Sequence, residues 1–221
     1  MSTITVDASL FNAISTPADA LNIVGLNTLA EECVYMLPGC GDLMLRKTLQ
    51  QVFRDFCQRT GTLLTKDTGI VTHEADALAL CKDNGEFYVF LGAKLNEENC
   101  SLSQCTLVEN CGDMSVEFSL PQDEDDDDGN PVEYDAEVTY SYIPRIGTEV
   151  APLWYLNKYG DAIVSGTLFR LLSMPNKPWS DPTTGQLKAV EYQNSLNNAV
   201  INRLTGGNYA DLNCRASVPF I

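Results

Sequence analysis

The sequence predicts an α+β chain: a four-helix bundle interrupted by an antiparallel β-sandwich or barrel-like insertion, with extended arms at both ends. Three observations predict it. Apolar residues recur with a helical period towards both ends of the chain, they alternate with a period of two in the middle, and the middle also carries nearly all of the net charge. The expected divisions are an N-terminal arm over 1–20, the first half of the bundle over 21–66, the β insertion over 67–147, the second half over 148–204 and a C-terminal arm over 205–221.

The first helix is expected after Gly25, from Leu26 to Leu37, where Pro38-Gly39 stops it; Thr28 with Glu31 three residues later reads as a capping box. A second helix is expected from Asp42, a good N-cap, to about Thr60, with Gly61 ending it. Leu45, Leu49, Val52, Phe53, Phe56 and Cys57 fall on one stripe of that helix, while Arg46, Lys47, Gln50, Arg54 and Gln58 fill the other side. A third helix should follow Pro152, with Leu153, Leu156, Ile163, Val164, Leu168, Leu171 and Leu172 on its stripe. Gly166 inside it costs about 0.5–1 kcal/mol, which the close approach of another backbone would explain. Met174-Pro175-Asn176-Lys177-Pro178-Trp179 breaks the helix. Asp181 and Pro182 supply an N-cap and a first helical position, and Leu187, Val190, Leu196, Val200, Ile201 and Leu204 carry a fourth helix to Gly206-Gly207. Neither helical pair covers its own stripe, so the two pairs are expected to cover each other.

Between the pairs, Met114–Leu120 and Val132–Tyr142 alternate apolar and polar residues, the pattern of half-buried antiparallel strands. Ala77–Lys82 and Glu86–Leu91 flank Asp83-Asn84-Gly85, a hairpin signal, and Ser101–Glu109 is a further strand. The six consecutive acids Asp123, Glu124, Asp125, Asp126, Asp127 and Asp128 fall between the two clean strands, at the expected tip of a long hairpin.

The chain has 221 residues, of which 44% are hydrophobic and 20% charged, the balance of a folded domain rather than a disordered one. No apolar run approaches the roughly 18 residues that a membrane helix needs, so no membrane partner is expected. The first twenty residues hold no Lys or Arg, so no secretory signal is expected either. Net charge is −16; residues 67–150 hold three basic and twenty acidic residues, and both flanks are nearly neutral. Such a chain is a poor grip for nucleic-acid phosphates, although it could let DNA slide past.

No catalytic site is expected. His73, followed by Glu74 and Asp76, is the only histidine, and no nucleophile elbow, phosphate-binding glycine loop or zinc-protease motif is present. No cofactor or metal is expected. Of the eight cysteines only Cys100, Cys105 and Cys111 cluster, at spacings looser than those of zinc ribbons, so the cysteines read as reduced thiols. An alternative is a calcium-dependent β-type binding module using the acidic loop 123–135. There Glu124, Asp126, Asp128 and Gly129 mimic the start of an EF-hand loop, but Glu stands where that loop starts with Asp, and its twelfth position is Asp135 rather than Glu.

The segment Leu37-Pro38-Gly39-Cys40-Gly41-Asp42, with Leu49 and then Phe53-Arg54-Asp55-Phe56-Cys57-Gln58-Arg59-Thr60, resembles the first helical hairpin of head-to-tail adaptor proteins of tailed bacteriophages. Tyr155-Leu156, Ala162 to Leu172 around the central Gly166, and Met174 to Pro182 with its Lys177-Pro178-Trp179 resemble the second half of that family. The resemblance covers roughly residues 37–60 and 153–200; the middle matches only in being made of strands. The six-acid run and the many cysteines depart from the family's usual pattern.

The resemblance implies a structural virion protein at the head-to-tail interface, made in the host cytoplasm. It would form a ring with copies of itself, typically twelve-fold, below the portal protein, extend the DNA channel and dock tail or neck proteins. DNA would pass without specific binding, and an acidic channel wall would repel it. Terminal arms would reach the portal or a neighbouring subunit; here the apolar candidates are Tyr209, Leu212, Val218, Phe220 and Ile221. The acidic run would face the channel or a basic patch on a partner. Trp179, with Pro178 stiffening its link, would act as a structural staple, burying about 150–250 Å².

Overall fold

Helix gives way to strand where the apolar period changes, and the computed structural model of the chain follows those changes. It describes residues 23–72, 75–80, 85–101, 103–110, 113–120 and 132–205. The elements in order are β1 (Ile23–Gly25), α1 (Asn27–Val34), α2 (Asp42–Thr60), β2 (Leu64–Val71), β3 (Ala77–Leu80), β4 (Glu86–Leu95), β5 (Glu98–Asn99), β6 (Cys105–Asn110), β7 (Asp113–Phe118), β8 (Tyr134–Ile143), β9 (Val150–Pro152), α3 (Leu153–Leu172) and α4 (Pro182–Thr205). The fold is mixed α+β, and all strand pairs are antiparallel. The chain divides into two compact units, residues 63–144 and the residues on either side of them.

In the helical unit, α2 buries the predicted stripe of Leu45, Leu49, Val52, Phe53, Phe56 and Cys57. Gly61 ends it at φ 59°, a left-handed conformation that glycine adopts without strain, and its N–H reaches Cys57 O at 2.8 Å. Asp42 is the first helical residue and Gly41 the N-cap, so the Asp42 carboxylate acts on the positive helix end rather than as the expected cap. The capping box at the first helix is also absent. Leu26 occupies the N-cap, and Thr28 Oγ1 donates back to Gly25 O at 3.0 Å.

The middle helix of the unit is α3, which contacts α1, α2 and α4. It is buried on more than the one stripe expected: Tyr155, Tyr159, Ala162, Ser165 and Thr167 are covered along with Leu156, Ile163, Val164, Leu168, Leu171 and Leu172. At Gly166 the close neighbours are side chains, not the backbone expected. An added Cβ would lie 2.8 Å from the Tyr192 ring and 2.8 Å from Val52 Cγ1. The fourth stripe does not hold. Leu196 is buried, but Leu187, Val190 and Leu204 are exposed, and the helix buries Gly185, Tyr192, Leu196 and Ala199 instead. These two sets lie on opposite sides of α4. Before α3, Val150–Pro152 pairs with Ile23–Gly25 in a two-stranded ribbon that no period announced.

In the β unit, β2, β8, β4 and β5 form one sheet in that order, and β3, β7 and β6 form a second. One apolar cluster draws Val71, Ala93, Tyr134, Ala136, Val138 and Tyr140 from the first sheet and Leu80, Cys105, Val116 and Phe118 from the second. The described strands close no barrel. Two pairings differ from expectation. β3 pairs with β7 and lies in a different sheet from β4, and β7 pairs with β3 and β6 and lies in a different sheet from β8, so neither expected hairpin pairs its two strands. β8 alternates as predicted over Tyr134–Glu137, but Thr139 and Ser141 are buried as well; β8 is flanked by β2 on one edge and β4 on the other.

Candidate functional site

The two motif-bearing turns of the helical unit come together. The turn between α1 and α2 is closed by Cys40 N–H on Leu37 O at 3.0 Å. The link between α3 and α4 is closed by Met174 N–H on Leu171 O at 3.1 Å, Ser180 N–H on Lys177 O at 3.0 Å and Asp181 N–H on Leu172 O at 3.1 Å. A Cβ on Gly39 would stand 4.0 Å from Pro178 Cβ, so the Pro-Gly-Cys turn and the Lys-Pro-Trp link share one end of the unit. Trp179 is half-buried beside them, with the Lys177 ammonium 6.0 Å from its ring centroid. Its indole N–H is buried and finds no acceptor among the described residues.

Around the first turn the surface is unusually apolar. Tyr35 is 90% and Leu43 67% exposed, and Val34 and Met36 are also open. Exposed aromatic and aliphatic groups concentrated within ten residues suit the docking of another protein.

Asp181 caps α4 as predicted, accepting from the N–H groups of Thr183 and Thr184, each at 3.1 Å, and from the Thr184 hydroxyl at 2.6 Å. The Thr184 hydroxyl, then the backbone N–H groups, hold its carboxyl below the usual carboxylate range. A lowered folded-state pKa stabilises the helix above about pH 4, and that contribution is lost as pH falls through the lowered value. Asp181→Asn should therefore flatten the acid limb of the thermal midpoint below about pH 4; an unchanged limb would show that the cap does not titrate there.

The Phe-Cys-x-Arg-Thr run at the end of α2 is structural. Phe56 packs on Tyr159 at 5.3 Å between ring centroids. Cys57 Sγ lies 3.3 Å from Tyr155 Oη, Tyr155 Oη lies 3.0 Å from Thr62 Oγ1, and Thr60 Oγ1 donates to Phe56 O at 2.7 Å. Burial pushes the Cys57 thiol up to about 12 and the Cys33 thiol likewise to about 12. A raised thiol pKa stabilises the fold below about pH 8.5, and this contribution is lost as pH rises towards the folded value. Chromogenic thiol titration of native protein should leave Cys33 and Cys57 unreacted and modify them only on unfolding. Rapid native labelling of either residue would contradict their burial.

One cluster was not foreseen. Asp55 accepts from Tyr192 Oη at 3.0 Å and pairs with Arg170 at 3.2 Å and Arg59 at 3.8 Å, tying α2, α3 and α4 together. Burial, then Asp55 beside it, pushes the Tyr192 hydroxyl far above its ordinary range. Nothing in the apolar period signals it, since its members come from three helices.

The arm candidates Tyr209, Leu212, Val218, Phe220 and Ile221, the acidic run Asp123 to Asp128, and His73 lie outside the described residues. Cys100 and Cys105 are free thiols, both with pKa raised by burial; Cys111 lies outside the described residues. Among the described residues no three His, Cys, Asp or Glu side chains come close enough to hold a metal ion. The groove of about 680 Å³ on the β unit, lined by residues including Thr68, Ile70, Lys94, Glu97, Asp135 and Glu137, carries no cysteine, serine or histidine. Compared with protein-family models and with curated proteins, the chain matches none.

Proposed function

We propose that the protein is a head-to-tail adaptor of a tailed bacteriophage. Copies of the chain form a ring, twelve-fold, below the portal; the ring extends the DNA channel and docks tail or neck proteins. The four helices form one bundle, and the β unit is a sandwich-like insertion in it. The observation that carries this reading is the meeting of Gly39 with Pro178, because the two stretches on which the family resemblance rests, over a hundred residues apart, share one end of the helical unit. Exposed Tyr35, Val34, Met36 and Leu43 beside that end offer a docking surface. The C-terminal arm, through Phe220 and Ile221, reaches the portal or a neighbouring subunit, and the acidic run lines the channel or meets a basic partner. No helix among the described residues is long and apolar enough to cross a membrane.

The test is negative-stain imaging of the purified chain alone and mixed with the portal protein of the same virion. Adaptor rings capping portals are the expected result. Portals that stay bare, by imaging and by co-sedimentation, would overturn the reading. Deleting residues 208–221 should abolish attachment while leaving the thermal midpoint nearly unchanged; a truncated chain that still decorates portals would remove the arm from the proposal.

A further inference from the structure

The outer face of α4 holds a seam that no other described element covers; within the helix, Asn197 Oδ1 accepts from Gln193 Nε2 at 3.1 Å. Leu187, Val190, Asn194, Asn197, Ile201 and Leu204 are spaced alternately three and four residues apart, the spacing of the inward positions of a coiled coil. Leu187 is 59%, Val190 58% and Leu204 66% exposed; Asn194 and Asn197 are exposed too, and Ile201 is half-buried. At about 100° per residue this line runs opposite the line of Gly185, Tyr192, Leu196 and Ala199 that α4 buries. The helix is thus apolar on two opposite sides, and the described residues cover only one of them.

The order of residues along the seam selects its occupant. It reads apolar, apolar, Asn, Asn, apolar, apolar, and it reads the same backwards. Two copies of α4 laid antiparallel about a two-fold axis between Asn194 and Asn197 place Leu187 against Leu204, Val190 against Ile201 and Asn194 against Asn197. Each apolar side chain then meets an apolar one, and each amide meets an amide with which it can exchange hydrogen bonds. A parallel pair in register matches like with like for any sequence; the order here, the same in both directions, is what an antiparallel pair requires.

The flanks agree with self-pairing. Gln186, Gln193, Asn198 and Thr205 border the seam without charge, and Glu191 is already held by Lys188 at 2.7 Å and Ser165 at 3.1 Å, so no like charges are forced together. We propose that this face of α4 is a two-fold, antiparallel interface between two copies of the chain. The pairing is independent of the adaptor reading, because a contact that uses the same patch on both copies is distinct from the head-to-tail contacts that close a ring. The seam spans about 25 Å of helix, at 1.5 Å per residue, which makes the interface smaller than a standard one and the dimer a weak one.

Sedimentation equilibrium of the full chain over a wide concentration range should show a monomer–dimer equilibrium. Val190→Glu and Leu204→Glu, both at exposed positions, should weaken it at least tenfold with the thermal midpoint of the dilute monomer unchanged. Asn194→Leu with Asn197→Leu should tighten it at least tenfold. Mixing Leu187→Cys chains with Leu204→Cys chains under mild oxidation should give a disulfide between positions 187 and 204, identified by peptide mass spectrometry. A chain that stays monomeric at every concentration overturns the proposal, as does a dimer indifferent to Val190→Glu. A disulfide only between like positions in the separate Leu187→Cys chain would replace the antiparallel arrangement by a parallel one. The remaining occupant is the chain's own segment 206–221: if deleting it creates the dimer that the full chain lacks, that segment covers the seam and the proposal fails.

Discussion

Replacing Phe53 by alanine should destabilise the protein by about 3–5 kcal/mol, the range for truncating a fully enclosed aromatic ring. Phe53 is 1% exposed on α2 and meets the Tyr155 ring edge-on at 5.8 Å between centroids. That contact joins the stretch before the β unit to the stretch after it, so the loss of the ring removes transfer free energy and leaves a cavity where α2 and α3 meet. Chemical unfolding followed by circular dichroism measures the effect. A loss below about 1 kcal/mol would mean that the ring is not enclosed and that α2 and α3 do not cover each other.

Gly166→Ala is the second large effect, and its sign is the informative part. In an open helix the change should stabilise by about 0.5–1 kcal/mol, because alanine is the better helix former. Here the new Cβ would sit 2.8 Å from the Tyr192 ring and from Val52 Cγ1, and neither a ring nor a β-branched methyl group yields without moving its own helix. Overpacking of this kind costs about 1–3 kcal/mol, so a net loss is expected. Adding Val52→Ala should recover part of it, and a double-mutant cycle would read the coupling. Stabilisation by Gly166→Ala alone would show that α2 and α4 do not approach α3 as closely as described.

The sequence made some elements legible and hid others for physical reasons. Helix α2 could be read to the residue at its end, because a single stripe and a left-handed glycine both mark it. Helix α3 is surrounded, so its stripe named only part of what it buries; Tyr155, Tyr159, Ser165 and Thr167 carry polar atoms that a hydropathy period discounts. In α4 two apolar lines on opposite sides merged into one apparent stripe. Strand alternation told which side chains face inwards but not which strand lies alongside, so both hairpins inferred from neighbouring strands were wrong, although the strands themselves exist. A three-residue ribbon such as β1 with β9 is too short to show any period. At the candidate site, Pro178 and Trp179 lie between α3 and α4, where the sequence breaks the helix, but that Gly39 is near Pro178, and that Asp55 gathers Tyr192, Arg170 and Arg59, follows only from how the helices pack.

The pairing of β2 with β8 bears on the order of folding. Leu64 stands opposite Ser141 in that ladder, so the two ends of the β unit are adjacent once it forms. Without it, α2 would have to find α3 across a loop of some ninety residues, from Thr60 to Leu153. With it, the effective loop shrinks to about fifteen residues, and because closure entropy grows by about 0.6 kcal/mol per doubling of length, the search becomes easier by about 1.5 kcal/mol. On the ribosome, at about 5–20 residues per second, the apolar face of α2 waits several seconds before α3 is made. The β2–β8 ladder, once formed, is thus an intramolecular clasp that shortens the path between the two halves of the helical unit.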